Sequence, residues 1–314
     1  MKFYLAPMEG VTTYVMRQAY HNTFQPLDKY FTPFLVPHTQ KKMSSAEWAE
    51  LNPEHNRGMY VVPQILTNQA KDFVQLASVM HEYGYQEVNL NLGCPSKTVV
   101  SKGRGSGFLE DPMKLDRFFG ELFTLIDPSI EVSVKTRIGM DSPLEFEDLL
   151  KVYNKYPISE LTIHPRLQSD YYKNTPNWEV FQEALEASHH KICYNGDIFT
   201  KEDYDRFRTR FPQVEAVMLG RGIIAHPELR TWLEAEGDCS FDYKKLRKYH
   251  DEVFAGYKQI MSGDKNLLYR MKEFWSYFHK NFPEDTKLWK KIKKCERLPI
   301  YHALVEEVFA KCTY

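Results

Sequence analysis

The sequence lacks the features that mark membrane, disulfide-rich and disordered proteins. No apolar run approaches the roughly 18 residues that a membrane-spanning helix needs, and the first residues, MKFYLAPMEG, lack the long apolar stretch of a signal peptide. The five cysteines form no CxxC motif, which argues against a disulfide framework. With 43% hydrophobic and 26% charged residues, the chain has the composition of a folded protein. We therefore expect a soluble, cytoplasmic protein with no membrane anchor and no bound metal.

The net charge of −1 is also small, but it is unevenly distributed along the 314 residues. Residues 241–314 contain 16 Lys and Arg against 10 Asp and Glu, a net charge of +6, whereas residues 1–240 carry −7. A basic segment attached to an acidic body indicates a polyanionic partner.

Short runs of apolar and β-branched residues recur eight times in the first 220 residues. Predicted strands lie at about residues 3–7, 31–36, 60–66, 87–92, 131–136, 160–164, 191–195 and 214–219. Segments of helical periodicity lie between them, including residues 69–83, 112–126, 143–155 and 201–210. Pro112 and Pro143 would occupy first helical turns, after an Asp and a Ser that can cap the helices. Eight such repeats favour an α/β fold with a closed (β/α)8 TIM barrel over an open doubly wound sheet, which typically has fewer strands.

The strand patterns stop after about residue 238. Helices are predicted near residues 243–262, 265–281, 284–295 and 299–311, in a segment with 15 aromatic residues among 74. We therefore predict two domains, a barrel of residues 1–240 and a small C-terminal α-helical domain of residues 241–314.

In (β/α)8 barrels the active site lies at the carboxyl ends of the strands. Residues 195–197 (Asn-Gly-Asp) follow the seventh predicted strand, and residues 220–222 (Gly-Arg-Gly) follow the eighth. Loops at these two positions often bind phosphate in this fold, and glycines let backbone N–H groups approach an anion. Either motif alone is more typical of a simple turn, but together, at these two strands, they predict a phosphate site.

Lys135 and His164 end two neighbouring predicted strands. A lysine there could stabilise negative charge on a reduced flavin, or form a salt bridge at the barrel rim. His164, taken alone, is more typical of a structural histidine than of a site residue.

Cys94 begins a polar segment, residues 93–111, that has four glycines and no helical periodicity, so we expect a long irregular loop. Its thiol could act as a proton donor or as a nucleophile, and the residue types do not separate the two roles. The other cysteines are expected to be small packing residues, Cys193, Cys239, Cys295 and Cys312.

Taken together, these segments resemble the tRNA-dihydrouridine synthases, FMN-dependent enzymes that reduce specific uridines in tRNA. The similar segments occur in family order: LAPMEGVT (5–12), NLNLGCPSKTVVSKGRGSGFLEDP (89–112), VSVKTRIGMDS (132–142), IHPR (163–166), YNGDI (194–198) and AVMLGRGIIAHP (216–227). In the tail, LYRMKEFWSYF (268–278) looks nearest the bacterial subtype C members. The block from GCPSK to GSGFL is the most specific of these motifs.

The resemblance implies a flavin site built from most of the strand ends. The implied FMN-binding residues are Pro7, Met8, Gln64, Asn91, Lys135, His164, Asn195, Gly196, Asp197, Gly220 and Arg221. It also implies that reduced FMN donates a hydride to C6 of uracil, that Cys94 protonates C5, and that NADPH reduces the flavin again.

A base stacked in folded RNA must turn out into the barrel mouth before it can be reduced, so we expect a positive, aromatic-rich surface beside the mouth. Residues 287–297 carry six positive charges, one acidic residue and Trp289. The candidate substrate and RNA contacts are Lys102, Arg104, Arg166, Tyr172, Arg270, Lys272, Lys290, Lys291, Lys293 and Lys294. The expected partner is tRNA, and we expect a monomer.

The sequence departs from the family pattern after the sixth strand, where it reads HPRLQSDYY. Pro165, Leu167 and Asp170 stand where many members have a small residue, a threonine and a glutamine, so substrate identity is the affected property. Two other functions are compatible with parts of the sequence. An FMN barrel reductase of a free pyrimidine or another small enone would not need the basic helical domain, and a non-catalytic tRNA-binding factor would not need Cys94, Lys135 and His164.

Overall fold

The eight predicted strands form a closed parallel barrel. A computed structural model describes residues 1–37, 43–237, 239–282 and 286–312. The strands pair in chain order, and β8 closes the barrel against β1: β1 Lys2–Leu5, β2 Lys29–Leu35, β3 Val61–Ile65, β4 Glu87–Leu92, β5 Glu131–Arg137, β6 Leu161–His164, β7 Ile192–Tyr194 and β8 Ala216–Leu219. The TIM barrel is confirmed, and the alternative of an open doubly wound sheet is wrong.

Helices follow the strands around the barrel and then continue alone. Those of the barrel region are α1 Tyr14–Thr23, α2 Ser45–Leu51, α3 Ala70–Glu82, α4 Lys97–Val100, α5 Pro112–Leu125, α6 Glu145–Tyr153, α7 Trp178–Ala187, α8 Lys201–Arg210, α9 Arg221–Ala225 and α10 Leu229–Glu234. Four more complete the described chain: α11 Tyr243–Ile260, α12 Asp264–Phe278, α13 Thr286–Lys294 and α14 Leu298–Ala310. Short 3-10 helices cover Pro53–Asn56, Gly105–Glu110 and His279–Asn281. No helix in the described ranges is long and apolar enough to cross a membrane.

Side chains that point alternately to the two faces of each strand form two separate buried layers. In β1, Phe3 and Leu5 belong to the large core between strands and helices, whereas Tyr4 packs inside the barrel with Phe31 and Met218. Successive side chains of a strand point to opposite faces, so one strand serves both layers. The barrel interior also contains buried polar side chains, including Gln64, Asn89 and Ser133.

Helix α6 begins at Glu145, two residues after the expected start at Pro143. The Glu145 carboxylate accepts hydrogen bonds from the backbone N–H groups of Met140 (2.6 Å), Asp141 (3.1 Å) and Ser142 (2.7 Å). These bonds hold the preceding residues in a turn, so Ser142 does not serve as the N-cap. The expected cap of α5 is confirmed, since the Asp111 side chain accepts the Lys114 N–H.

The segment 93–111 is folded and not an irregular loop, which corrects the expectation. It contains α4 and the 3-10 helix Gly105–Glu110, and Phe108 and Leu109 are buried. Gly105 has φ +56°, and a Cβ at Gly107 would lie 2.6 Å from the Val100 carbonyl oxygen. The glycines are therefore required for tight packing of the segment against itself.

The C-terminal helices pack on the barrel through one continuous hydrophobic core. Tyr249 of α11 contacts Tyr20 and Phe24 of the barrel region edge-on, with ring centroids 6.5 and 5.2 Å apart. Asn281 donates to the Ala225 carbonyl at 2.7 Å. The helix predicted at 284–295 starts partly outside the described residues, and its described part is α13.

Cys94, Cys193, Cys239 and Cys295 are free thiols. Cys193 and Cys295 are buried, as expected for packing residues, and Cys312 is half-buried. Cys239 is exposed, so its expected packing role is wrong; it lies after the end of α10, outside the helices.

Candidate active site

A cleft lies at the carboxyl ends of the strands, where the fold predicts it. It comprises two adjoining cavities that share Pro7, Met8, Lys135, His164 and Tyr172. One is bordered by the loops after β7 and β8, and the other, of about 300 Å³, is bordered by Cys94. The structure thus brings the candidate phosphate residues and the candidate acid to one continuous site.

Backbone geometry explains the glycines of the candidate phosphate site. A Cβ at Gly196 would clash with the Tyr194 ring, and one at Gly222 would clash with the Ile198 carbonyl. Asn195 is buried and donates from its side chain to the Met218 carbonyl at 2.8 Å, which joins the ends of β7 and β8. Only glycine fits these turns, and the turns leave the backbone accessible to an anion.

Asp197 binds two arginines. Arg221 donates to Asp197 Oδ1 at 2.7 Å, and Arg166 donates to both carboxylate oxygens. A carboxylate repels phosphate, so Asp197 would not contact an anion directly. Its contribution to an anion site would be to hold Arg221 in a fixed orientation. The Arg221 guanidinium also lies over the rings of Tyr172 (4.6 Å to the centroid) and Phe199 (5.4 Å).

Arg166 is buried next to the cleft but borders neither of its two cavities. It is 2% exposed, and its Nε donates to the Asn174 carbonyl at 2.6 Å. Its expected role as a substrate or RNA contact stays a prediction, and in the structure its hydrogen bonds support Asp197 and the segment after β6. The sequence pattern did not reveal this, because the partner carboxylate follows a different strand.

His164 is a neutral imidazole in this surrounding. Burial lowers its pKa well below the ordinary value, and the cations Arg137, Lys135, Arg166 and Arg221 lower it further. Arg166 Nη1 lies 3.1 Å from His164 Nε2, and since the guanidinium can only donate, Nε2 accepts and the ring proton is on Nδ1. His164 therefore offers a neutral N–H donor.

Lys135 forms no salt bridge with any carboxylate among the described residues, so the rim salt bridge is not its role. Burial of the ammonium group lowers its pKa to about 7, and the neighbouring Arg137 charge adds to the effect. Its pKa lies near neutral pH, which is the property expected of a site lysine and not of a surface one.

Gln64 and Asn91 belong to a buried ladder of polar side chains below the cleft. Gln64 donates to Asn89 (2.8 Å), Asn89 to Ser133 (2.9 Å), and Asn91 to Gln64 (2.7 Å). Gln64 is fully buried and borders neither cavity, so its contact with a cofactor stays a prediction. Asn91 also accepts the backbone N–H of Cys94 at 2.9 Å, which links the ladder to the candidate acid.

Cys94 is half-buried and firmly positioned. Its carbonyl accepts hydrogen bonds from both the backbone N–H (3.1 Å) and the hydroxyl (2.9 Å) of Ser106. Burial raises the pKa of the Cys94 thiol, and the nearby Glu9 carboxylate raises it further. A thiol that keeps its proton suits a general acid better than a nucleophile, which must be a thiolate.

Two residues at the mouth of the cleft were not found by sequence reasoning, Glu273 and Tyr277. Glu273 and Tyr277 come from α12 and bring the helical region to the cavity that Cys94 borders. On the same helix, Arg270 donates to the Gly10 carbonyl (3.0 Å) and to Glu273 (3.0 Å). The spacing 270, 273 and 277 defines one helix face, but only the fold shows that this face meets the barrel.

Except for Tyr172, the other candidate RNA residues lie outside the two cavities. Lys290, Lys291, Lys293 and Lys294 are exposed on α13, while Leu288 and Ile292 of that helix are buried. Lys102 is exposed, and Arg104 and Lys272 are half-buried. Tyr172 is 50% exposed and borders both cavities.

Fold and site together define a (β/α)8 barrel protein with a cationic cleft at the carboxyl ends of its strands, the arrangement of a barrel enzyme. The family model for dihydrouridine synthase matches residues 4–308, and the chain therefore belongs to the dihydrouridine synthase family. Membership confirms the resemblance drawn from the motifs and the prediction of an oxidoreductase.

Relatives of similar length support this membership. The chain is 26% identical to the tRNA-dihydrouridine(16) synthase of Pseudomonas putida over 326 residues, with 99% of each chain covered. It is 28% identical to the protein of that name from Shewanella oneidensis, with 93% of each covered, and 26% identical to the one from Haemophilus influenzae, with 94% and 96% covered.

Solved structures support the fold alone, because their identities are low. A variant of NCR from Zymomonas mobilis has a TM-score of 0.53 at 13% identity and covers 77% of this chain and 88% of its own. Histamine dehydrogenase from Rhizobium sp. 4-9 has a TM-score of 0.56 at 10% identity, with 80% and 49% covered.

Proposed function

We propose that the protein reduces a uridine of tRNA to 5,6-dihydrouridine, with FMN as the bound flavin and NADPH as the electron donor. The observation that carries the proposal is the placement of the Cys94 thiol, which borders the same cavity as Lys135 and His164. A protonated thiol, a lysine of lowered pKa and a neutral imidazole are the groups that a hydride transfer followed by protonation requires.

The residues of the cleft fit FMN by the chemistry of their donors. Four cations surround His164, while Asp197 is the carboxylate that pairs with two of them, Arg166 and Arg221. The excess of positive charge favours a phosphate group. Asn195, Gly196, Gly220 and Arg221 would hold the phosphate, and Lys135 and His164 would face the ring system, with Pro7 and Met8 beside it.

Each of these side chains has a distinct part in the reaction. When bound, reduced FMN supplies the hydride to C6 of uracil. Cys94 holds its proton until C5 of the base becomes basic and then donates it, leaving a thiolate that solvent reprotonates. Lys135 stabilises negative charge as it develops. His164 donates a hydrogen bond from its Nδ1–H group and keeps that proton, so the ring stays neutral.

The relatives' names motivate the finer proposal that the modified nucleotide is uridine 16. The uridine must leave the RNA stack to reach the cleft. The exposed lysines of α13 and the +6 charge of residues 241–314 would bind the phosphate backbone and hold the RNA in place.

The decisive experiment is a map of dihydrouridine in tRNA from a strain that lacks this protein. We expect loss of dihydrouridine at position 16 and its return when the purified, yellow flavoprotein and NADPH are added. Loss at another position would overturn the assignment of position 16. An unchanged map would overturn the proposed function.

A further inference from the structure

Arg137, at the end of β5, is fully buried at the wall of the cavity that Cys94 borders. Its three guanidinium nitrogens each donate to a different backbone carbonyl. Nε donates to Gly93 (2.9 Å), Nη1 to Leu167 (2.7 Å) and Nη2 to Tyr171 (2.7 Å). Gly93 directly precedes Cys94, whereas the other two acceptors lie in the segment that follows β6.

The two segments joined by Arg137 form different walls of the same cavity. Gly93 and Cys94 contribute to one, and Tyr172 contributes to another. The Arg137 guanidinium also lies 5.4 Å from the centroid of the Tyr172 ring. Tyr171 has φ +52°. Among the described residues, it is the one non-glycine residue with a left-handed backbone conformation. Its carbonyl bond to Arg137 holds this turn, and the turn sets the position of Tyr172.

We propose that Arg137 is a positioning residue that fixes the distance between the Cys94 thiol and the Tyr172 ring across the substrate cavity. The planar guanidinium suits this task, because its donors point in fixed, different directions. A lysine at this position would keep the charge but could not reach all three carbonyls at once.

This inference rests on the proposed function for its effect on turnover, but its structural part is independent of it. If Arg137 positions Cys94, loosening it displaces the thiol from the base. A displacement of about 1 Å can cost about 100-fold in rate. Flavin binding and flavin reduction by NADPH should change little, because Arg137 makes no bond to the turns at residues 195–197 and 220–222.

The test compares Arg137→Lys with the unchanged protein, both carrying Cys239→Ser to remove the exposed thiol. The first readout is the rate of iodoacetamide alkylation of Cys94, resolved by peptide mass spectrometry without tRNA. We expect about a fivefold increase for Arg137→Lys, since a bond that restrains Gly93 is removed while the charge beside the thiol is kept. The second readout is steady-state kinetics on tRNA, where we expect kcat to fall about 100-fold with KM nearly constant.

Arg208→Lys is the matched control. Arg208 also donates to two backbone carbonyls, those of Pro212 (3.3 Å) and Val214 (2.9 Å), but it borders neither cavity of the cleft. It should leave alkylation and turnover unchanged, which separates a positioning effect from general loss of an arginine.

Wild-type alkylation and wild-type kcat in folded Arg137→Lys would overturn the proposal. If Arg137→Lys does not fold, Arg137→Gln takes its place with the same readouts, and failure of both to fold would also overturn it, since Arg137 would then be a determinant of folding. If the unchanged protein fails to reduce tRNA, the proposed function fails, but the alkylation rates still support or overturn the positioning role.

Discussion

At the residue scale, environment decides which chemistry each side chain can perform. Cys94 and Lys135 border the same cavity, yet burial raises the pKa of the thiol and lowers that of the ammonium group. Both shifts favour the neutral form of the group, because burial penalises charge. The site thus holds a protonated thiol beside a lysine whose charge responds to its surroundings near neutral pH.

Replacement of the thiol tests the role of Cys94 directly. We expect Cys94→Ala to retain FMN and NADPH oxidation but to lose tRNA reduction by a factor of about 10² to 10⁴, because a general acid contributes on that scale. The rate of a single turnover, in which prereduced protein reduces tRNA, measures the uridine reduction step. Cys239→Ala is the matched control and should react normally, since Cys239 is exposed and borders neither cavity. Near-normal turnover of Cys94→Ala would contradict the acid role.

The lowered pKa of Lys135 predicts how stability depends on pH in the flavin-free protein. Between the folded pKa of about 7 and the unfolded value of about 10.4, the unfolded chain binds more protons at this residue, so its contribution to the free energy of unfolding rises with pH. From pH 7 to 9 the unchanged protein should therefore gain more stability than Lys135→Met. Urea unfolding at both pH values measures the difference.

A surface control separates the Lys135 effect from a general loss of charge. Lys71→Met removes an 81% exposed lysine whose nearest carboxylate, on Glu121, is 3.9 Å away. It should follow the pH dependence of the unchanged protein. Equal pH dependence of Lys135→Met and the unchanged protein would show that Lys135 has no lowered pKa.

At the element scale, α13 presents its charge outward and its apolar residues inward. Leu288 and Ile292 are buried, and Trp289 stacks on His279 with ring centroids 4.9 Å apart. Because these contacts anchor the helix without help from the lysines, charge can be removed from α13 without unfolding it. The helix is therefore a suitable place to test RNA binding separately from chemistry.

Neutralisation of the α13 lysines should weaken tRNA binding and leave the flavin chemistry intact. The variant replaces four exposed lysines with glutamine, at positions Lys290, Lys291, Lys293 and Lys294. For each phosphate that a lysine no longer neutralises, the fall of log affinity with log salt should become shallower by about 0.7 to 0.9 in slope. Filter binding at several salt concentrations measures this, with NADPH oxidation as the internal check.

A charge-matched control places the same four changes on the outside of the barrel, at Lys71, Lys151, Lys155 and Lys201, whose side chains are all exposed to at least 36%. This variant should bind tRNA as the unchanged protein does. If the α13 variant also binds normally, the lysines of α13 are a solvated face and not an RNA contact.

Local sequence patterns predicted the elements well and their non-local contacts poorly. All eight strands lie within about two residues of their predicted starts, because short apolar runs between helical periods are a strong local signal. The folded segment 93–111 was missed, since its order depends on tight packing around Gly105 and Gly107, and the late start of α6 depends on Glu145 accepting three N–H groups. Periodicity does not encode either feature.

The candidate site shows the same division. Residues that follow strands could be placed because barrel topology brings all strand ends together. The pairing of Arg166 with Asp197, the approach of Glu273 to the cleft and the bonds of Arg137 join residues from different strands and helices. Such contacts depend on side-chain geometry in three dimensions, so they could be read only from the structure.

At the scale of the whole molecule, the helical region is joined to the barrel close to the cleft. Arg270 donates to Gly10, Thr13 and Tyr257 form a hydrogen bond of 2.9 Å, and Gly256 packs so closely on Val15 that a Cβ would lie 2.6 Å from it. The basic region therefore has a fixed relation to the acidic barrel. An RNA bound to the basic face would be held at a constant position relative to Cys94.

This arrangement predicts a strong salt dependence of tRNA binding in spite of the net charge of −1. The affinity for tRNA depends on residues 241–314, whose net charge of +6 would lie next to the phosphates. Charges more than about 10 Å away contribute little, because they are screened at 0.1 M salt. Log affinity should fall linearly with log salt, by about 0.7 to 0.9 for each phosphate neutralised, while reduction of the flavin by NADPH changes much less. Fluorescence titration of labelled tRNA from about 50 to 300 mM salt measures the slope, with the α13 variant as the comparison. A flat line would favour a reductase of a small, uncharged enone, because such a substrate releases no counterions on binding.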